Sequence, residues 1–270
     1  MLKTITKILF VLLFCTSYFA DAQLFRTKDR MDNLEGFDDQ KFSWGFFLAG
    51  NYYDYKLILD PKFGMSEDKM KNKMKNLITV KGSASFGAGL IGKMRLNENF
   101  DLRLEPGLQF VQREFTFDTQ ENDRFAMGSL EKPVNEPFTP RVLTDADMYR
   151  TVKSTYIDVP LMLEFHGDRW YNSRPYAAAG VNYLVNLQSN QGAADDNSQG
   201  IFRTTTHNFG WSVEAGIQFY FSRFKLTPGF RGTFVTNNEI VIDNPETPPY
   251  WAAGISQAQS RVFMFVLKFE

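Results

Sequence analysis

Charged side chains of both signs recur at alternate positions of otherwise apolar segments. Lys93, Arg95, Arg103, Arg174, Lys225 and Arg231 stand against Asp101, Glu105, Asp158, Glu164 and Glu214. On extended strands this spacing puts them all on one face. Carboxylates and cations gathered away from water either pair off or transfer protons and ions. The balance of sign favours pairing. The expected role is structural, a mutually satisfied ionic plug, with an ion path as the functional alternative.

Other chemistry finds less support. His166 closes one alternating segment and His207 precedes another, so they should lie at opposite ends of the fold. That separation excludes a shared metal and leaves no Ser/His/Asp arrangement that converges. No catalytic, metal or cofactor-binding residue is therefore assigned, and the chain is expected not to be an enzyme. Gly87 and Gly89 lie in a strand with no following helix, so they make no nucleotide site. Asp195-Asp196-Asn197 offers oxygen ligands without the spacing of a calcium loop. Segment 62–76, basic and methionine-rich, allows a short amphipathic helix through Met70 and Met74 with Lys71 and Lys75 beside them. The run NPETPPY at 244–250 reads as a stiff loop.

The elements that must position these residues are strands. Segments 42–53, 84–96, 100–110, 155–166, 174–187, 208–221, 224–234 and 261–270 each alternate with period 2. Segment 100–110 is the clearest: Phe100, Leu102, Leu104, Leu108 and Phe110 oppose Asp101, Arg103, Glu105 and Gln109. Short links at 97–99, 167–173 and 222–223 alternate with long ones at 54–83, 111–154, 188–207 and 235–260. Apolar and polar faces of this length, with short and long connections in turn, predict an all-β fold: an eight-stranded antiparallel transmembrane β-barrel with four long outer loops and short periplasmic turns. The competing expectation is a soluble sandwich or lipocalin-like barrel, with the apolar faces turned inward. Two features disturb the pattern. The apolar phase slips after Phe110, since Phe115 and Phe117 are odd-numbered; a bulge near 111–114, or a strand that has left the membrane, would explain it. Pro106, Pro160, Pro175 and Pro228 should each break a strand locally.

The ends and the composition agree with export. Lys3 and Lys7, the apolar run 8–14 and Ala20-Asp21-Ala22 make a secretory signal peptide over 1–22, with cleavage between Ala22 and Gln23. A periplasmic N-terminal segment 23–41 and the barrel 42–270 should follow. Cys15, the one cysteine, falls in the leader, so no disulfide is expected. The formal charge of −1 becomes −2 once Lys3, Lys7 and Asp21 are gone, a balance that argues neither for nor against nucleic acid; no nucleic-acid partner is expected. Mean hydropathy is only −0.31, as expected of a barrel that shows lipid every second residue. The expected location is the outer membrane of a Gram-negative bacterium, with outer-membrane lipid as a partner and no small-molecule substrate.

Four stretches together resemble the PorT-like outer-membrane barrels of the type IX secretion and gliding apparatus. They are FSWGFFLAGNYYDYKL at 42–57, LRLEPGLQFVQREFTF at 102–117, YIDVPLMLEFHGDRWYNSRPYAAAGVNY at 156–183, and FYFSRFKLTPGFRGTF with SRVFMFVLKFE near the C-terminus. The phrases EPGLQFVQR and RPYAAAGVNY are the most specific. Segment 118–150 has no counterpart. The resemblance implies a non-enzymatic barrel needed for protein secretion across the outer membrane and in some bacteria for gliding; since a barrel this narrow cannot conduct a folded protein, a monomeric accessory or assembly component in contact with other secretion subunits is expected. It carries no catalytic residues. The alternative is a general surface barrel for adhesion or envelope integrity.

Overall fold

The structure is a computed structural model. It describes residues 33–61, 64–68, 73–118, 128–129, 132–133, 148–193, 202–242, 252 and 254–270. The leader, with Ala22 and Gln23, lies outside these residues, as do 195–197, 244–250 and most of 118–150.

Eight long strands form one ring. They are β1 (Phe42–Leu59), β2 (Ile78–Arg95), β3 in two halves (Phe100–Leu104 and Gly107–Phe117), β4 (Tyr149–His166), β5 (Ser173–Asn186), β6 (His207–Tyr220), β7 (Lys225–Val235) and β8 (Ile255–Phe269). Each pairs antiparallel with its neighbours in sequence. β8 then returns to β1, from Phe46 opposite Phe269 to Tyr55 opposite Ser260 and beyond. Closure satisfies every edge, the condition for a sheet to stand in hydrocarbon.

The faces divide as the alternation predicts. Trp44, Phe86, Leu90, Leu104, Phe110, Leu163, Val181 and Phe230 point outward and are exposed, whereas Arg103, Glu105, Glu164, Glu214 and Arg231 point inward and are buried. A soluble barrel would have the two sets exchanged. The outward rings pack side by side, Phe86 on Phe110 at 4.9 Å and Phe46 on Phe269 at 5.0 Å, giving a continuous apolar belt.

The long-loop end departs from the simple pattern. β3 does not slip: its odd-numbered residues point inward from Asp101 to Phe117. What inverts is the chemistry of the faces. Phe115 and Phe117 are buried inside, with Tyr55, Leu59, Leu77, Ile78, Val152, Ile240 and Ile255. Glu114, Thr116 and, on the next strand, Thr151 look outward. The wall from β1 to β4 has therefore risen past the belt and become a small soluble-type sheet with its own apolar core. Two irregularities accompany the rise: a bulge on the partner strand β2, between Gly82 and Gly87, and a register shift between Ile58 and Leu59 where β1 pairs with β8. The added height of this wall is why the spans read from sequence for β1, β2 and β4 stop short.

The prolines act differently from expectation. Only Pro106 breaks its strand, at the gap in β3. Pro160 faces that same gap, where Glu105 N donates to its carbonyl at 3.2 Å, so its missing donor costs no ladder bond. Pro175 sits where pairing with β4 begins, and its carbonyl accepts from Gly167 N. At Pro228 the β6 ladder is interrupted between Gly216 and Phe219, while pairing with β8 continues through Leu267. Proline is tolerated wherever its nitrogen faces no acceptor. The described part of 62–76 is a hairpin, Met65–Asp68 against Lys73–Asn76, rather than a helix. Leu77 N bonds Gly64 O across its base, and Lys75 pairs with Asp118 at 2.8 Å.

Candidate functional site: the lumen

The lumen is filled in layers. Inward positions at the same height on neighbouring strands face one another, so the sequence pattern translates directly into tiers.

At the short-turn end lies a mouth. Lys93 stands 3.6 Å from Asp101 and 3.3 Å from Glu270, and Lys225 also pairs with Glu270. His166 Nε2 lies 3.2 Å from Asp101. The segment before β1 covers this tier. The 3₁₀ turn Phe37–Asp39 places the Phe37 ring 5.8 Å from Lys93 Nζ and 5.0 Å from Lys225 Nζ, within cation–π range. Asp38 pairs with Arg174 at 3.4 Å and accepts from Tyr220 Oη at 2.7 Å. Arg95, expected in the lumen, instead reaches the rim and pairs with Asp39 at 2.8 Å with a quarter of its side chain exposed. It stands at the last position of β2, where an inward side chain has no strand above it to cover it.

The next tier is the densest. Arg103 contacts Glu105 at 3.2 Å and Glu214 at 2.8 Å, and is bonded to Glu164. Arg231 bonds Glu105 and Glu214, and Lys268 pairs with Glu105 at 2.9 Å and with Glu214. Tyr176 donates to Glu214 at 2.8 Å, and Gln218 to Glu164 at 2.6 Å. Three cations meet three carboxylates, all buried. Such a cluster persists only if the charges match and the remaining lone pairs find donors. Lys268 and Glu270 were missed because the inward residues just before them, Val262, Met264 and Val266, are apolar. Asp158 was expected in this network but stands apart: its one bonded oxygen accepts from Asn182 at 2.9 Å.

Above follows a tier without charge pairs. Asn182 accepts from Ser212 at 2.5 Å, Ser212 shares a bond with Thr233 at 2.6 Å, and Asn51 donates to Gln109 at 2.6 Å. Arg113 comes next, fully buried and missed from sequence because Phe115 and Phe117 share its face. Its guanidinium lies 3.9 Å from the Tyr55 ring, 5.5 Å from Tyr53 and 5.7 Å from Tyr156. It donates to Tyr55 Oη at 2.8 Å and Ser260 Oγ at 2.7 Å. Glu239, from the connection after β7, accepts from Tyr156 Oη at 3.3 Å and from the Ser260 amide.

Burial pushes the Glu239 carboxyl above the ordinary carboxylate range, against the pull of Arg113 and the Ser260 donors. The folded state then holds a proton that the unfolded chain has released. The stabilisation from this group is complete below the ordinary carboxylate pKa and is lost as pH rises through the raised one. Amide-exchange protection of Thr205, Glu239 and Ser260 should accordingly fall as pH rises above the ordinary carboxylate pKa, and Glu239→Gln should flatten that dependence. A flat profile in the unsubstituted protein would refute the assignment.

The two histidines lie at opposite ends. His207 is exposed at the long-loop end, with Nδ1 2.7 Å from Tyr183 Oη. Asp101, Glu164 and His166 bring ligand-type atoms within 4.8 Å of one another, a grouping unforeseen from sequence. Lys93 and Arg103 already supply its positive charge.

A family model described as "Outer membrane protein beta-barrel domain" matches residues 22–240. No curated protein matches the sequence. Among solved structures, the chain is similar to the outer membrane protein OprG from Pseudomonas aeruginosa, with 13% identity over 83% of this chain and 94% of that one and a TM-score of 0.40. It is similar to Neisserial surface protein A, with 12% identity over 85% and 98% and a TM-score of 0.36. It is also similar to Ail, the attachment invasion locus protein of Yersinia pestis, with 10% identity over 84% and 96% and a TM-score of 0.33.

Proposed function

The chain belongs to the outer membrane protein beta-barrel domain family, and from that premise we propose that this barrel is a non-enzymatic accessory or assembly component of a type IX-like secretion apparatus. Its belt contacts outer-membrane lipid, its long loops face outward, and its short turns face the periplasm.

The observation that carries the reading is the filled lumen. Arg103, Arg231 and Lys268 with Glu105, Glu164 and Glu214 occupy the cross-section and pair in charge, three against three. A barrel so plugged conducts no protein and offers no substrate cavity, so its use lies in its surfaces. We read the network as structural, holding eight strands at one radius while the outside binds partners. The separation of His166 from His207, each engaged with a neighbouring side chain, supports a role without catalysis. The in-order resemblance to PorT-like barrels over nearly the whole chain supplies the secretion context.

Deleting the gene should leave cargo proteins in the periplasm, and cross-linking in native membranes should capture secretion subunits. Normal secretion in the deletion strain would remove the proposal. Detergent sensitivity with normal secretion would instead indicate a general envelope barrel.

A further inference from the structure

The outward face of the tall wall changes from hydrocarbon to ammonium within a few residues. Phe110 is the last aromatic of the belt on β3, opposite Thr155 on β4. One outward row higher Lys153 stands opposite Gln112, and one row above that Lys81 stands opposite Glu114. On β1, Lys56 lies four residues beyond Tyr52, with the exposed Ile58 two residues further along the same face. At about 3.3 Å per residue, the lysines stand roughly 7–13 Å along the strands from the belt, and less in height because barrel strands tilt. That is the depth of lipid headgroups.

All three lysines are exposed, and among the described residues none has an ion-pair partner. Arg261, beside them, is already matched to Asp54 at 3.4 Å. Glu114 is the one carboxylate between Lys81 and Lys153. Among the described residues the opposite wall carries no counterpart: at the same end the chain from β5 to β6 presents Tyr183, Leu187, His207 and Phe209. Among the described residues this excess positive charge therefore lies on one side of the cylinder, within two successive outward rows.

We propose that Lys56, Lys81 and Lys153 form a site for the phosphate groups of the phosphorylated glycolipid of the outer leaflet. Ammonium groups on flexible stems suit phosphate as mobile point charges, and the belt below would take the acyl chains of the same lipid. The site would fix one lipid against the tall wall and so orient that wall in the membrane.

The test is native mass spectrometry of the folded barrel titrated with diphosphoryl lipid A and with the same lipid after phosphatase treatment. The triple variant K56Q/K81Q/K153Q should bind diphosphoryl lipid A roughly 10- to 100-fold more weakly. K73Q, on the loop hairpin, should leave binding unchanged. Gel mobility before and after boiling verifies that each variant is folded, which exposed substitutions should not disturb. Equal affinity of the unsubstituted barrel for both lipids, or of the triple variant and the parent for diphosphoryl lipid A, would overturn the proposal.

Discussion

Glu214→Ala should cost about 3–5 kcal/mol of folding stability, the range for removing one member of a buried ion cluster. Glu214 accepts from Arg103 at 2.8 Å, Arg231 at 2.7 Å and Tyr176 at 2.8 Å, and pairs with Lys268. Without it, three buried cations face Glu105 and Glu164 alone. The penalty is the desolvation of a charge left without a partner, rather than the loss of attraction as such. Two comparisons isolate that cause. Adding Lys268→Met to Glu214→Ala restores the match of charges and should recover a substantial part of the loss. Glu214→Gln, which keeps the shape but not the charge, should behave more like the alanine variant than like the parent. Urea titration of the barrel in lipid vesicles measures all three. A loss of under about 1 kcal/mol, typical of an exposed pair, would show that water reaches the cluster and that the lumen is not sealed.

The second large effect lies on the other face. Leu104, Leu161 and Val181 stand side by side halfway along the belt and are all exposed. Leu161→Arg should destabilise the membrane-inserted barrel by about 2–4 kcal/mol, the depth-dependent penalty for a cation facing lipid at the midplane. Thr151→Arg, on the same strand and face but above the belt, should cost about 0–1 kcal/mol. The same vesicle-based titration reads both. Equal penalties at the two sites would mean that the belt does not sit in hydrocarbon where the ring places it, and a soluble reading would regain ground.

These two expectations differ in how early they could be written down. The Leu161 result follows from the period-2 faces together with the order of the links. Once Leu102, Leu104 and Phe110 oppose Asp101, Arg103 and Glu105, the length of the faces and the alternation of short and long links select a membrane barrel. The Glu214 result needed the ring. Alternation puts Glu214 inside but does not say that Arg103, 111 residues away in sequence, meets it. That contact depends on the register of every strand between them. Lys268 was left out of the network because Val262, Met264 and Val266 share its face, and Asp158 was assigned to it although its height puts it beside Asn182 instead.

The sequence by itself determined the class of fold, the number of strands, the two faces and their charge content, because side-chain direction in a strand follows from the backbone and needs no partner. Tertiary structure alone decided the rest. It decided which charges pair, how Phe37 and Asp38 cover the mouth at the short-turn end, and where the wall of β1 to β4 outgrows the belt. Phe115 and Phe117 show the boundary between the two kinds of knowledge. Their odd numbering looked like a slip of phase. It became intelligible only when the coordinates placed Leu59, Ile240 and Ile255 against them, since whether an apolar face seeks lipid or a neighbour depends on what the rest of the chain brings to it.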